Sequence, residues 1–296
     1  DMTLSAQFAS ILADGLTTDS LTVTATDNLG SPVEDANIRF TTDAGLFSNN
    51  LQEIQILTDA NGLAKAVLKS QPGVSDLLAH VIVSSVENPS VSETTNIMFR
   101  GITITVNSAE SSIIANGYST TLISGQIKET SNGNPLVDET VTWATSLGVI
   151  ESSSTTNSTG TASTTLYSQV DQVGTATITC GYGLLNPGSV TVEFLPQPDP
   201  GFLSLSYQSG GTSGGQAIVI LNAILTDIDS HPILNYSVTF TILQSGIGSL
   251  SPSSDLTNES GIATSQFTYP VENSGTPVTF EATAGSIQTT LQVTLP

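Results

Sequence analysis

The chain has 296 residues, with 5 Lys and Arg against 26 Asp and Glu, a formal net charge of −21. Five cations cannot cover a phosphate backbone, so nucleic-acid binding is excluded, and attraction to anionic membrane surfaces is disfavoured. Two His and one Cys leave almost nothing from which to build a zinc site, a Cys–His nucleophile or a disulfide framework, while 38% hydrophobic content suffices for packed cores.

In chain order, the first strand-like segment is Leu21–Asp27, where Leu21, Val23 and Ala25 alternate with polar residues at a period of two. A turn follows at Asn28–Pro32. Ile38 and Phe40 then mark a second strand. The turn Thr58-Asp-Ala-Asn-Gly62 leads into a third, with Ala64, Ala66 and Leu68 on one face. The order then repeats. Ile123–Glu129 precedes Gly133-Asn-Pro135, Val141 and Trp143 follow, and Thr156–Gly160 leads into Thr161–Leu166. A third round runs through Leu221–Asp227, Pro232, Val238, Phe240, Thr257–Gly261 and Ile262–Phe267. Pro32, Pro135 and Pro232 lie 103 and 97 residues apart, and Gly62, Gly160 and Gly261 lie 98 and 101 apart.

Short alternating segments separated by Gly, Pro, Asn and Asp turns, with no convincing helical stripe, predict an all-β chain. It reads as three tandem immunoglobulin-like β-sandwich domains in an elongated array, at 1–100, 101–196 and 197–296. Phe99–Ile102 is a very short first junction. Leu195-Pro-Gln-Pro-Asp-Pro-Gly201 is a Pro-rich, semi-rigid linker leading the third domain. The first domain begins abruptly, as expected of a segment of a longer array.

Ala13-Asp-Gly15, Val23–Asp27, Gly30-Ser-Pro-Val33, Ile38-Arg-Phe40 and Thr58–Ala64 together resemble the bacterial Ig-like domain of group 1, the repeated module of invasin- and intimin-type surface adhesins. The second domain departs by carrying Glu129 where the others have Asp. The third is the most divergent, with Gly214-Gly215 in place of Asp-Gly. The resemblance implies a non-enzymatic stalk segment. It would project an adhesive region from the bacterial surface, anchored in the outer membrane through regions outside these residues. Its partners would be neighbouring Ig-like domains, and the segment would be monomeric. A second reading makes the divergent third domain a module that binds a host-cell protein or glycan. A third, weaker one makes the domains accessories of a secreted polysaccharide hydrolase.

No catalytic, cofactor or metal residues are assigned. Asp27, Glu129 and Asp227 fall at strand ends beside turns, where a carboxylate is expected to accept backbone N–H bonds rather than hold a metal. Asp14, Asp19 and Asp76 are expected in lower loops of the first domain, facing Asp138 and Glu139 of the second, an arrangement that invites a divalent cation. His80 and His231 lack triad partners. Cys180 and Trp143 are expected to be core residues. Gly210–Gly215 lacks the Lys and helix of a phosphate loop. Asn157, Asn235 and Asn258 fit the N-glycosylation pattern without further support.

Overall fold

The computed structural model describes residues 1–170 and 172–296. Packing divides the chain into two compact units. The first comprises Asp1–Ser112, Thr120–Tyr167 and Thr175–Glu193, and the second Ile113–Ser119, Ser168–Gly174 and Phe194–Pro296. Nearly all regular structure is β. The one helical element among the described residues is a single 3-10 turn, Val271–Asn273.

Residues 2–100 form β1 (Met2–Ala6), β2 (Ser10–Leu12), β3 (Thr18–Ala25), β4 (Asn37–Thr42), β5 (Leu46–Phe47), β6 (Glu53–Leu57), β7 (Leu63–Lys69), β8 (Leu77–Ser85) and β9 (Ser92–Arg100). They build a four-stranded sheet in the order β1-β3-β7-β5 and a five-stranded sheet in the order β2-β9-β8-β4-β6. The pairings are antiparallel except for β2 on β9, which is parallel with Ser10 opposite Met98. Alternation decides which side chains go inside. Leu21 and Val23 of β3, Ile38 and Phe40 of β4, and Ala64, Ala66 and Leu68 of β7 are buried together. Thr22, Thr24 and Lys65 alternate with them towards solvent.

Residues 102–195 repeat the plan with β10 (Ile102–Ser108), β11 (Ser112–Ile114), β12 (Thr120–Glu129), β13 (Thr140–Thr145), β14 (Ser153–Thr155), β15 (Thr161–Tyr167), β16 (Gly174–Gly181) and β17 (Gly188–Leu195). Their sheets run β10-β12-β15 and β11-β17-β16-β13-β14. Gly125 sits mid-strand in β12, where a glycine is normally unfavourable. Its neighbours explain it. A Cβ there would lie 2.7 Å from Cys180 Sγ and 2.8 Å from the Trp143 ring. Trp143 fills the place held by Phe40 in the first round and Phe240 in the third, and the larger ring is accommodated by removing the facing side chain. The buried indole N–H donates to Ser154 Oγ at 2.8 Å.

Residues 202–294 form β18 (Phe202–Ser213), β19 (Gln216–Thr226), β20 (Ser237–Ile242), β21 (Ser249–Ser251), β22 (Ser254–Leu256), β23 (Ile262–Pro270), β24 (Pro277–Ala284) and β25 (Ile287–Thr294). The sheets run β18-β19-β23-β21 and β22-β20-β24-β25. This core is the most aromatic. Phe267 stacks on Tyr269 at 5.6 Å and meets Phe280 edge-on at 5.0 Å. Such pairs add about 0.5–1.5 kcal/mol each beyond their buried area.

Candidate functional site

One device recurs in all three rounds. Gly62, Gly160 and Gly261 adopt φ of +73°, +70° and +73°. A Cβ at each would lie 2.4 Å from the carbonyl oxygen of Ala25, Ile127 and Leu225 respectively, so both the conformation and the close approach require glycine. Three residues earlier, a carboxylate or amide oxygen gathers the turn. Asp59 Oδ1 accepts from Asn61 and Leu63 N–H, each at 2.9 Å. Asn157 does the same for Thr159 and Thr161, and Asn258 for Ser260 and Ile262. Accepting these bonds holds the Asp59 carboxyl below its ordinary range. One residue before that, Thr58, Thr156 and Thr257 are buried. Thr58 Oγ1 donates to Val33 O at 2.6 Å and accepts from Ala36 N–H at 2.9 Å. Thr156 links Leu136 O and Glu139 N–H, and Thr257 links Ile233 O and Tyr236 N–H. The hydroxyl staples the turn to the loop across the sandwich end. Reading the sequence missed this role, although a Thr four residues before each of these glycines was a visible signal.

The acids at strand ends divide. Asp27 Oδ1 accepts from Leu29 and Ser31 N–H at 2.8 and 2.9 Å, and Asp227 Oδ1 from Asp229 and His231 N–H at 3.0 and 2.8 Å, as expected. Glu129 does not. Its longer side chain turns inward, is buried, and forms an ion pair with Arg100. It also accepts from Asn132 Nδ2 at 2.6 Å. Asn132 takes over the turn, accepting from Asn134 N–H at 2.8 Å.

Arg100 belongs to the place where the sheets of residues 2–100 meet those of residues 102–195, which lies within the first unit. Gly101 N–H donates to Asp76 Oδ1 at 2.8 Å, and Gly101 O accepts from Thr130 N–H at 2.8 Å. Ile102 N–H donates to Gly73 O at 3.0 Å. On the opposite side, Leu184 N–H donates to Asp14 O at 2.8 Å. Gly183, at φ +57°, lets the backbones approach, since a Cβ there would lie 2.5 Å from Asp14 O. Tyr182 is buried beside them, near Glu139. Its phenol pKa is pushed up, first by burial and then by the charges of Glu139 and Asp14.

Of the acids expected to face one another at this joint, Asp76 accepts from Gly101 N–H and Asp14 is held by its own turn. Asp14 Oδ1 accepts from Leu16 and Thr17 N–H at 2.8 and 2.7 Å, and its Oδ2 accepts from Thr17 Oγ1 at 2.7 Å. Asp19 is not in a loop. It lies in β3, where its alternation points it into the sandwich, with Oδ1 accepting from Phe8 N–H at 3.1 Å and Oδ2 unpartnered. Desolvation raises its pKa against those backbone bonds. Among the described residues, no three His, Cys, Asp or Glu side chains group closely enough to hold a metal ion. An open cleft of about 250 Å³ at the joint is lined by Leu46, Pro72 and Leu184, with Lys69 its one charged residue.

The remaining candidates are placed singly. His80 Nδ1 lies 2.7 Å from Asp43 Oδ2 on an exposed face, and the bonds from His80 lower the Asp43 pKa. His231 Nδ1 lies 3.4 Å from Asp227 Oδ2. Cys180 is buried and burial pushes its thiol to about 11, which keeps it protonated and unreactive. Gly210–Gly215 belongs to the β18–β19 hairpin.

The bacterial Ig-like domain (group 1) family matches residues 1–99 and 103–195. Over 279 residues the chain is 28% identical to the inverse autotransporter adhesin YeeJ of Escherichia coli strain K12. That match takes in 88% of this chain and 12% of that protein, so the chain spans a small part of the relative's length. Among solved structures, invasin, described as a bacterial integrin-binding protein, is similar at 22% identity with a TM-score of 0.41, over 100% of this chain and 60% of that one. The D0–D1 domains of intimin are similar at 21% identity with a TM-score of 0.30, over 65% and 97% of the two chains. With two consecutive repeats matched over more than half of its length, the chain belongs to the bacterial Ig-like domain (group 1) family.

Proposed function

We propose that these residues are a spacer region of a bacterial surface adhesin: three sandwiches at 1–100, 101–196 and 197–296 that hold an adhesive region away from the cell. The observation that carries this reading is the joint at Gly101 and Leu184. There, main-chain hydrogen bonds and two glycines at close approach make the end of one sandwich part of the seat of the next. A connection made backbone to backbone transmits position better than side-chain contacts on flexible stems. At the same joint Asp14, Asp76 and Glu129 are held in structural bonds, which supports a structural role for them. Similarity to an inverse autotransporter adhesin supports placement at the cell surface, with anchoring supplied by other parts of the parent protein.

The test is replacement. An unrelated tandem sandwich array of matching length, substituted for these residues in the parent adhesin, is expected to preserve cell adhesion, while deletion is expected to reduce it. Loss of adhesion with the replacement, restored by residues 197–296 alone, would instead make the third sandwich a binding module.

A further inference from the structure

In residues 2–100 the leading segment is divided. β1 pairs with β3, then the chain crosses over and β2 lies on β9 in the other sheet. β10 and β11 are likewise assigned to different sheets. In residues 202–294 the leading segment is undivided. β18 stays on β19 from Phe202 opposite Thr226 to Ser213 opposite Gln216, with one register shift between Ser209 and Gly211. The cause is local. Gly214 and Gly215, at φ +60° and +79°, form a two-residue hairpin turn whose twist matches the flanking strands and returns the chain into the same sheet.

The result is a twelve-residue strand at the outer edge of its sheet. Among the described residues no strand is hydrogen-bonded to its outward N–H and C=O groups, and every residue from Tyr207 to Ser213 is exposed. Edges are ordinarily protected by short length, Lys, Pro or bulges. Phe-Leu-Ser-Leu-Ser-Tyr-Gln-Ser-Gly-Gly-Thr-Ser has neither charge nor Pro, and its one protective feature is the shift near Gly210. The surrounding charge is one-sided. Residues 197–296 contain seven Asp and Glu and no Lys or Arg. A second copy would bring seven more acids to the contact, whereas a strand carrying cations would be drawn to it.

We propose that the outer edge of Tyr207–Ser213 accepts an extended Lys- or Arg-bearing segment of a partner protein as an added β-strand. Main-chain hydrogen bonds would supply most of the affinity, and the acidic field of the third sandwich would select for positive side chains. The proposal goes beyond the spacer role and is separate from it: strand addition is read by amide exchange, not by adhesion of the parent cell.

The experiment uses the full 296-residue chain. The probes are two synthetic peptides of about ten residues, enough to span such a strand, one alternating Lys and Val and the other Glu and Val. The expected result is slowed amide exchange across Tyr207–Ser213 with the Lys-Val peptide alone, fading as NaCl is raised. Ser209→Lys, at an exposed edge position, is expected to weaken binding by roughly tenfold with an unchanged Tm. Thr212→Lys is the second variant if Ser209→Lys alters Tm. No slowing at Tyr207–Ser213, equal slowing by the Glu-Val peptide, or concentration-dependent slowing without peptide, which signals self-pairing, would each overturn the proposal.

Discussion

Gly125 and Trp143 are a matched pair: a Cβ on the glycine would sit 2.8 Å from the indole ring. The aligned positions hold Val23 and Phe40 in the first round and Ala223 and Phe240 in the third, so the glycine accompanies the largest of the three rings. Gly125→Ala should therefore cost about 1–3 kcal/mol through overpacking. Adding Trp143→Phe should recover most of that loss. Denaturant unfolding of the four chains of this double-mutant cycle measures the coupling, and additive effects would contradict the pairing.

The buried threonine staple predicts a uniform penalty. Thr156→Val keeps the shape but leaves Glu139 N–H without its side-chain acceptor and Leu136 O without its donor. The expected cost is about 2 kcal/mol, since each buried polar group left unpaired loses its water without compensation. Thr58→Val should behave alike, read from the unfolding transition of the first sandwich.

Much of this was legible beforehand. Period-two alternation placed Leu21, Ile123 and Leu221 inside, and the recurring Thr–Asx–Gly turns marked the repeat. What escaped reading has a physical reason. Glu129 occupies an Asp position, and with its one additional methylene it accepts from Arg100, 29 residues away, and from the Asn132 side chain in place of the backbone N–H groups of its turn. Asp19 reads as a loop acid by neighbourhood but is the first inward residue of β3. Leu184 joins through its backbone N–H, which no side-chain pattern reports.

Asp19 gives a pH prediction. Its folded pKa is raised, so the protonated form is favoured by folding. Its contribution is fully present below the unfolded value near 4 and is lost as pH rises through the folded value. Thr121 holds the corresponding place in the second round, accepting from Glu110 N–H at 3.0 Å. Asp19→Thr should raise stability at pH 7 by about 1 kcal/mol and by less at pH 3, giving a flatter profile of Tm against pH. An equal gain at both pH values would contradict the assignment of the cost to the buried carboxylate.

Arg100 and Glu129 join the end of β9 to the end of β12. Removing the cation strands a buried carboxylate, and the partial exposure of Arg100 moderates the cost. Arg100→Ala is expected to destabilise by about 2 kcal/mol. Adding Glu129→Gln, which removes the charge while keeping an acceptor for Asn132, should restore most of it in thermal unfolding.

The central claim is that separate sandwiches are joined by a backbone seat, and amide exchange at Leu184 tests it most directly. In the full chain, the Leu184 N–H, bonded to Asp14 O at 2.8 Å, should exchange slowly. After removal of residues 1–100 it should exchange quickly, while the β12, β13, β15 and β16 amides keep their protection. Loss of protection throughout residues 101–196 would show one merged core, and an unchanged Leu184 would show that no such seat exists.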